Sequence, residues 1–212
     1  TGHYASIQRL DNQRYAITNS ATAAKDQTYA LYQLTQKQLE RTLMPVGVYE
    51  KDQIRQIALE ASIPVATKAD SQEICFIPDH DYAAYIERNS DVVLPKEGDF
   101  VNTQGEIIGK HKGLIHYTVG QRKGLNLSVG HPVFVKELKV EENQVVIGES
   151  KDLFTTVLQA SPVHYMGIEK LTEPTRFLAK IRYGHKGQWC NVIPKEDGSI
   201  ECVFDEPVRA VT

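Results

Sequence analysis

The chain has 212 residues, 41% of them hydrophobic and 24% charged, which suits a protein with a buried core and excludes a wholly disordered one. Against 24 Lys and Arg stand 27 Asp and Glu, a formal net charge of −3, so any positive surface for nucleic acid has to be local. No apolar run approaches the roughly 18 residues of a membrane helix, three cysteines make no disulfide scaffold, and no secretory signal is visible; a cytoplasmic, reducing setting without a membrane is expected.

Residues 1–24 read as short extended pieces, with Tyr15, Ala16 and Ile17 as a brief apolar run. The spacing of Tyr29, Tyr32, Leu39 and Leu43 predicts a helix over 27–43, ended by Pro45. Ile54, Ile57, Ala58 and Ala61 predict a second over 50–62, stopped by Pro64. A loop around Cys75 fills 67–78, and a short helix after Asp79 aligns Tyr82, Tyr85 and Ile86. Past residue 95 β-branched residues alternate with polar ones. Asn102-Thr103-Gln104-Gly105 between Val101 and Ile107 predicts a hairpin, as does Glu141-Glu142-Asn143 between 133–140 and 144–148. Beyond 153 only strands are expected, near 157–168, 176–183, 188–194 and 200–204. The chain thus divides into an α/β front (1–94), a small middle unit (95–150) and an all-β tail (151–212) of barrel or sandwich type. It opens Thr1-Gly2-His3 without Met and closes on Thr212 straight after a strand-like segment, so a piece of a longer protein is expected.

Sulfur is the most reactive atom present. Asp197-Gly198 predicts a two-residue turn that pairs Ile193 with Cys202 and sets Cys190 opposite Asp205. Cys190 and Cys202 then lie on opposite faces, cannot bridge, and read as small residues filling a sheet. Cys75 differs: it sits in a loop just before a helix start, where a thiol pKa can fall. Asp70, Glu73 and Asp79 push the other way, and a buried structural cysteine between Ile74 and Phe76 is the competing reading. No metal site is visible.

Two stretches carry positive charge without any acid. From Gly109 to Gly124 stand Lys110, His111, Lys112, His116, Arg122 and Lys123; from Pro174 to Lys195 stand Arg176, Lys180, Arg182, Lys186 and Lys195, with Tyr183 and Trp189 interleaved. Such stretches suit a phosphate backbone and unstacked bases, although either alone reads better as a solvated face, and it is the pair that brings the binding reading level. Gly2-His3-Tyr4 and Lys25-Asp26-Gln27 are ambiguous by themselves, a glycine near a strand and an acid near a helix start being common.

Four motifs in order change that. Thr1-Gly2-His3-Tyr4-Ala5, Lys25-Asp26-Gln27-Thr28-Tyr29, Asp70-Ser71-Gln72-Glu73-Ile74-Cys75-Phe76-Ile77 and Gly113-Leu114-Ile115-His116-Tyr117-Thr118-Val119-Gly120-Gln121-Arg122-Lys123-Gly124-Leu125 together closely resemble the tRNA-specific 2-thiouridylases, over essentially the whole chain but only the C-terminal two thirds of the family pattern. The resemblance implies a front belonging to an adenine-nucleotide alpha-hydrolase-like, parallel-sheet ATP-pyrophosphatase domain, a small central domain and an incomplete C-terminal antiparallel β-barrel. It implies ATP, with Mg2+, adenylating the C2 oxygen of the wobble uridine, U34, and sulfur arriving as a persulfide on Cys75. A second, upstream cysteine of the family can form a disulfide with the first; it is absent here, as are the Ser-Gly-Gly phosphate loop and the last barrel strands. Position by position, Gly2 resembles an ATP-site glycine, and His3, Lys25, Asp26, Gln27, Arg182 and Tyr183 resemble tRNA contacts. The implied partners are tRNA and a sulfur-relay or cysteine-desulfurase donor protein, and a monomer is expected. A non-catalytic RNA-binding module, or a thiol redox protein built on Cys75, are the other readings.

Overall fold

The computed structural model describes residues 1–22, 25–68, 76–77, 79 and 81–211. Cys75 and most of its motif lie outside the described residues. Two compact units divide the chain, one from residues 1–70 and 157–205, the other from 71–156 and 206–212. The front and the tail thus share a unit.

In the first unit, β1 (Ser6–Arg9) and β2 (Tyr15–Thr18) pair antiparallel, Ile7 opposite Ile17. Two four-residue strands joined by so short a turn can pair in no other sense. Among the described residues the parallel sheet expected of the front is therefore not seen. The helix expected over 27–43 is broken into a 3-10 turn, Thr28–Leu31, and α1 (Gln36–Glu40). Thr35 and Gln38 form a capping box that starts α1 afresh, so Tyr32 and Leu43 are left at 59% and 80% exposure instead of lining one apolar stripe. The second helix, α2 (Lys51–Glu60), is close to expectation and is likewise boxed, by Glu50 and Gln53.

Front and tail are joined by polar side chains reaching backbone. The Arg14 guanidinium donates to the carbonyls of Met166 (3.0 Å) and Tyr165 (2.9 Å), and Gln36 donates to those of Tyr15 and Met166. His164 Nε2 lies 3.0 Å from the carbonyl of Leu34. Each meets a carbonyl that no strand partner claims, so desolvation there is compensated.

The tail's sheet runs β7 (Phe154–Ala160), β10 (Ile200–Arg209), β9 (Gln188–Pro194), β8 (Thr175–Ala179). It is four-stranded, antiparallel where β8, β9 and β10 pair, and not closed into a barrel. Its hairpin corrects the expected cysteine geometry. Lys195 N–H donates to Ser199 C=O and Gly198 N–H to Lys195 C=O, with Gly198 at φ +85°, so the loop is three residues closed by a left-handed glycine rather than two. The register moves by one residue: Cys202 faces Val192 and Cys190 faces Phe204. A one-residue slip exchanges the faces of a strand. Cys190 and Cys202 accordingly share the buried side with Val192 and Phe204, as free thiols.

The second unit begins with α3 (Tyr82–Asn89), capped by Asp81, whose carboxylate accepts from Ala84 N–H. Its sheet has the order β4 (Ile107–His111), β3 (Gly98–Val101), β6 (Gln144–Gly148), β5 (Phe134–Lys139), so both expected hairpins form and β3 and β6 run parallel side by side. Phe100, Leu114, Tyr117, Leu125, Val135, Val145 and Ile147 make its core. Within it His111 is 2% exposed, edge-on to Phe100 and Tyr117. Its Nδ1 accepts from Gly113 N–H, so the proton sits on Nε2 and points at the Asn143 carbonyl, 3.0 Å away. This histidine of the first basic stretch is a buried core residue.

Candidate nucleic-acid interface

The segments singled out at the two ends of the chain meet in the first unit. The Thr1 hydroxyl is 2.7 Å from His3 Nδ1. Gly2 and His3 are exposed, and no atom lies within 4 Å of where a Gly2 side chain would begin. Ala5 is fully buried beneath Gly47; a Cβ on Gly47 would collide with the Ala5 carbonyl oxygen.

Gln27 fastens this segment to the next. Its side-chain oxygen accepts from Tyr4 N–H (2.9 Å), and its own N–H donates to the Tyr4 carbonyl (2.9 Å). Asp26 accepts from Ser20 N–H at 2.8 Å and from both the amide and the hydroxyl of Thr28. Burial would raise its pKa, but the Thr28 and Ser20 hydrogen bonds and the charge of Lys180 outweigh it and hold the carboxyl below the usual carboxylate range. The carboxylate and amide of this tripeptide thus brace the backbone, and Lys25 N–H donates to Thr22 C=O.

Tyr29, two residues on, reaches the tail: its hydroxyl donates to the Ile181 carbonyl at 3.1 Å. That carbonyl belongs to no strand, because β8 ends at Ala179, short of the expected 183. His185 N–H donates back to Arg182 C=O, closing a turn that holds Arg182 and Tyr183 outward, both exposed. His3, Lys25, Asp26, Gln27, Arg182 and Tyr183 therefore belong to one compact unit, linked through Tyr4–Gln27 and Tyr29–Ile181. The sequence presents Tyr29 as an apolar helix position and as the end of the Lys25–Tyr29 motif; the reach of its hydroxyl is what that reading misses.

The acid-free stretch of the tail is not acid-free in space. Arg176 forms two hydrogen bonds with Asp205, at 2.9 and 2.5 Å, and Lys195 pairs with Glu201 at 3.1 Å. The Asp205 bond raises the Arg176 pKa, and Arg176 lowers that of Asp205. Arg176 also stands 5.7 Å over the Trp189 ring, which is half exposed. Lys180 faces Asp26. Arg182 and Lys186 are exposed and make no ion pair among the described residues, and the Tyr183 and Trp189 rings are half exposed. A guanidinium and an ammonium with two exposed rings can take phosphate and unstacked bases.

Among the described residues no group of His, Cys, Asp and Glu could hold a metal ion, and no helix is long and apolar enough to cross a membrane.

Three family models cover the chain in sequence: a tRNA methyl transferase HUP domain over 1–79, a tRNA methyl transferase PRC-barrel domain over 90–149, and an aminomethyltransferase beta-barrel domain over 155–212. Similar curated proteins include the tRNA-specific 2-thiouridylases MnmA of Lachnoclostridium phytofermentans (52% identical), Acetivibrio thermocellus (50%) and Clostridioides difficile (48%). In each case the match takes in 100% of this chain and 59% of the relative, so the chain spans about three fifths of their length. These matches do not favour a stand-alone RNA-binding module.

Proposed function

Because the chain belongs to the tRNA-specific 2-thiouridylase family, we propose that the whole protein is a tRNA-uridine 2-sulfurtransferase acting on the wobble uridine, U34. What supports the reading most directly is the Tyr29–Ile181 hydrogen bond: two segments 152 positions apart, each resembling a tRNA contact, are joined in one unit.

The chemistry is sulfur for oxygen at a carbonyl carbon. The C2 oxygen of uracil is a poor leaving group; its attack on the α-phosphorus of ATP, with pyrophosphate departing, makes it part of an adenylate. The outer sulfur of a Cys75 persulfide then attacks C2 and AMP departs with the oxygen. A second thiolate attacks the inner sulfur, a cysteine–cysteine disulfide forms, and the outer sulfur stays on the ring as the thione. The family's second, upstream cysteine is absent from this chain, and the parallel-sheet nucleotide domain, with front 1–94, centre 95–150 and tail 151–212, is likewise proposed for the whole protein. The open space at Gly2 suits close approach of a nucleotide to the backbone. The described residues offer no Mg2+ ligand cluster, so no step is assigned to a protein-held metal.

His3, Lys25, Arg182 and Tyr183 would meet the tRNA, while Asp26 and Gln27 hold the contacting backbone in place. ATP, tRNA and a persulfide-donating protein are the proposed partners of a cytoplasmic monomer. The deciding experiment is Cys75→Ser in the full-length protein: thiouridine formation is abolished and tRNA affinity stays within about twofold. Thiolation persisting in that variant removes Cys75 from the reaction.

A further inference from the structure

The second unit carries a loop that the reaction above leaves unused. It runs from Thr118 to Gly124 between the buried Tyr117 and Leu125, both in the core cluster. Gly120 turns it at φ +88°, and its N–H donates to the Val135 carbonyl at 2.7 Å while Val135 N–H donates to the Gln121 carbonyl at 2.9 Å. The Gln121 side chain closes it from within, accepting from Thr118 N–H (2.9 Å) and donating to the Lys123 carbonyl (3.0 Å). The loop is fixed at both ends and across its middle.

What this scaffold displays is positive charge. Arg122 and Lys123 are exposed at adjacent positions and form no ion pair among the described residues. Lys110, by contrast, is held by Asp99 at 2.6 Å. The apolar residues of the motif, Leu114, Tyr117 and Leu125, face inward, while Thr118, Gly124 and Asn126 are exposed. A protein partner needs an apolar anchor at the centre of its contact, and the loop offers none. A phosphate backbone needs cations held at fixed positions with little ordering left to do.

We propose that the Thr118–Gly124 loop is a second RNA-backbone site, in which Arg122 and Lys123 each meet a phosphate. This rests on the tRNA reading above and assigns it a contact outside the 1–70 and 157–205 unit. It positions the RNA and does not read its sequence, since such contacts carry charge and not base identity.

The test is Arg122→Ala/Lys123→Ala in the full-length protein, with an unmodified tRNA transcript titrated at several KCl concentrations beside wild type and Arg182→Ala. The expected result is a fall of about two in the slope of log affinity against log salt, about one per cation. Arg122→Lys/Lys123→Arg keeps the slope. An unchanged slope in the double alanine variant, with Arg182→Ala still lowering it, overturns the second site and leaves the first reading standing. If neither variant moves it, the tRNA interface of the first unit fails and this inference with it. Unchanged tRNA affinity with slower sulfur delivery from a donor protein also overturns it, in favour of an acidic protein partner.

Discussion

The Tyr29 hydroxyl donates a hydrogen bond of 3.1 Å to the carbonyl oxygen of Ile181. One residue beyond that carbonyl stands Arg182, and two residues before Tyr29 stands Gln27, bonded in both directions to Tyr4. A single phenol therefore couples the placement of the amino-terminal contacts to that of the tail. Tyr29→Phe leaves the Ile181 carbonyl short of its partner and should cost about 1 kcal/mol in urea unfolding. Its tRNA affinity should fall several-fold, with thiolation at saturating tRNA unchanged. Unaltered affinity would mean that the Arg182 turn is set by His185 alone.

Arg182→Ala should weaken tRNA binding and lower the salt slope by about one, because an exposed guanidinium without an ion-pair partner among the described residues is free for a phosphate. Arg176→Ala serves as the control. Arg176 is already neutralised by Asp205, so its removal should change the slope far less. Equal effects from the two would show that the charge of the whole face, not the Arg182 contact, governs binding.

The contrast between Arg176 and Arg182 marks where the sequence stops being informative. Both stand in a stretch without acids, and nothing local separates them; Asp205 lies 29 positions away and meets Arg176 only because β8, β9 and β10 are neighbours. Local signals did locate α2, α3 and both hairpins of the second unit, since periodicity and turn residues act within a few positions. They failed over 27–43, where the Thr35–Gln38 capping box outweighs an apolar spacing, and at Asp197-Gly198, where a glycine one place later in the turn shifted a whole strand. The Arg14, Gln36 and Tyr29 ties were invisible for the same reason as Asp205. Each joins a side chain to a backbone group more than 100 positions distant or across a turn.

Gly47→Ala tests the packing beneath the amino-terminal segment. The new methyl group would collide with the Ala5 carbonyl oxygen and stand 2.7 Å from Ser6 Oγ, and backbone cannot rotate aside as a side chain can. A loss of about 1–3 kcal/mol in urea unfolding is expected, together with weakened tRNA binding through displacement of Tyr4 from Gln27. Gly105→Ala, where no atom lies within 4 Å, has only its positive φ of +86° to pay for and should cost about 1 kcal/mol without touching affinity.

Cys202 carries the clearest dependence on pH. Burial, then the charge and hydrogen bond of Cys190, push its pKa from the ordinary 9.0 to about 11, and Cys190 is itself raised, burial being the main cause. A raised thiol pKa means that the folded state keeps its proton where the unfolded chain has lost it. Stability from this group is therefore fully present below pH 9 and is lost as pH rises towards 11, a change of about 2–3 kcal/mol across the interval. The measurement is unfolding free energy against pH for wild type and Cys202→Ala, taken as a difference so that tyrosine and lysine titrations shared by both cancel. The variant is less stable at pH 8 by the loss of packing, and the gap should narrow steadily above pH 9. A gap constant to pH 11 would show that the Cys202 thiol is not in the buried contact with Cys190 that the shifted register of β9 and β10 provides.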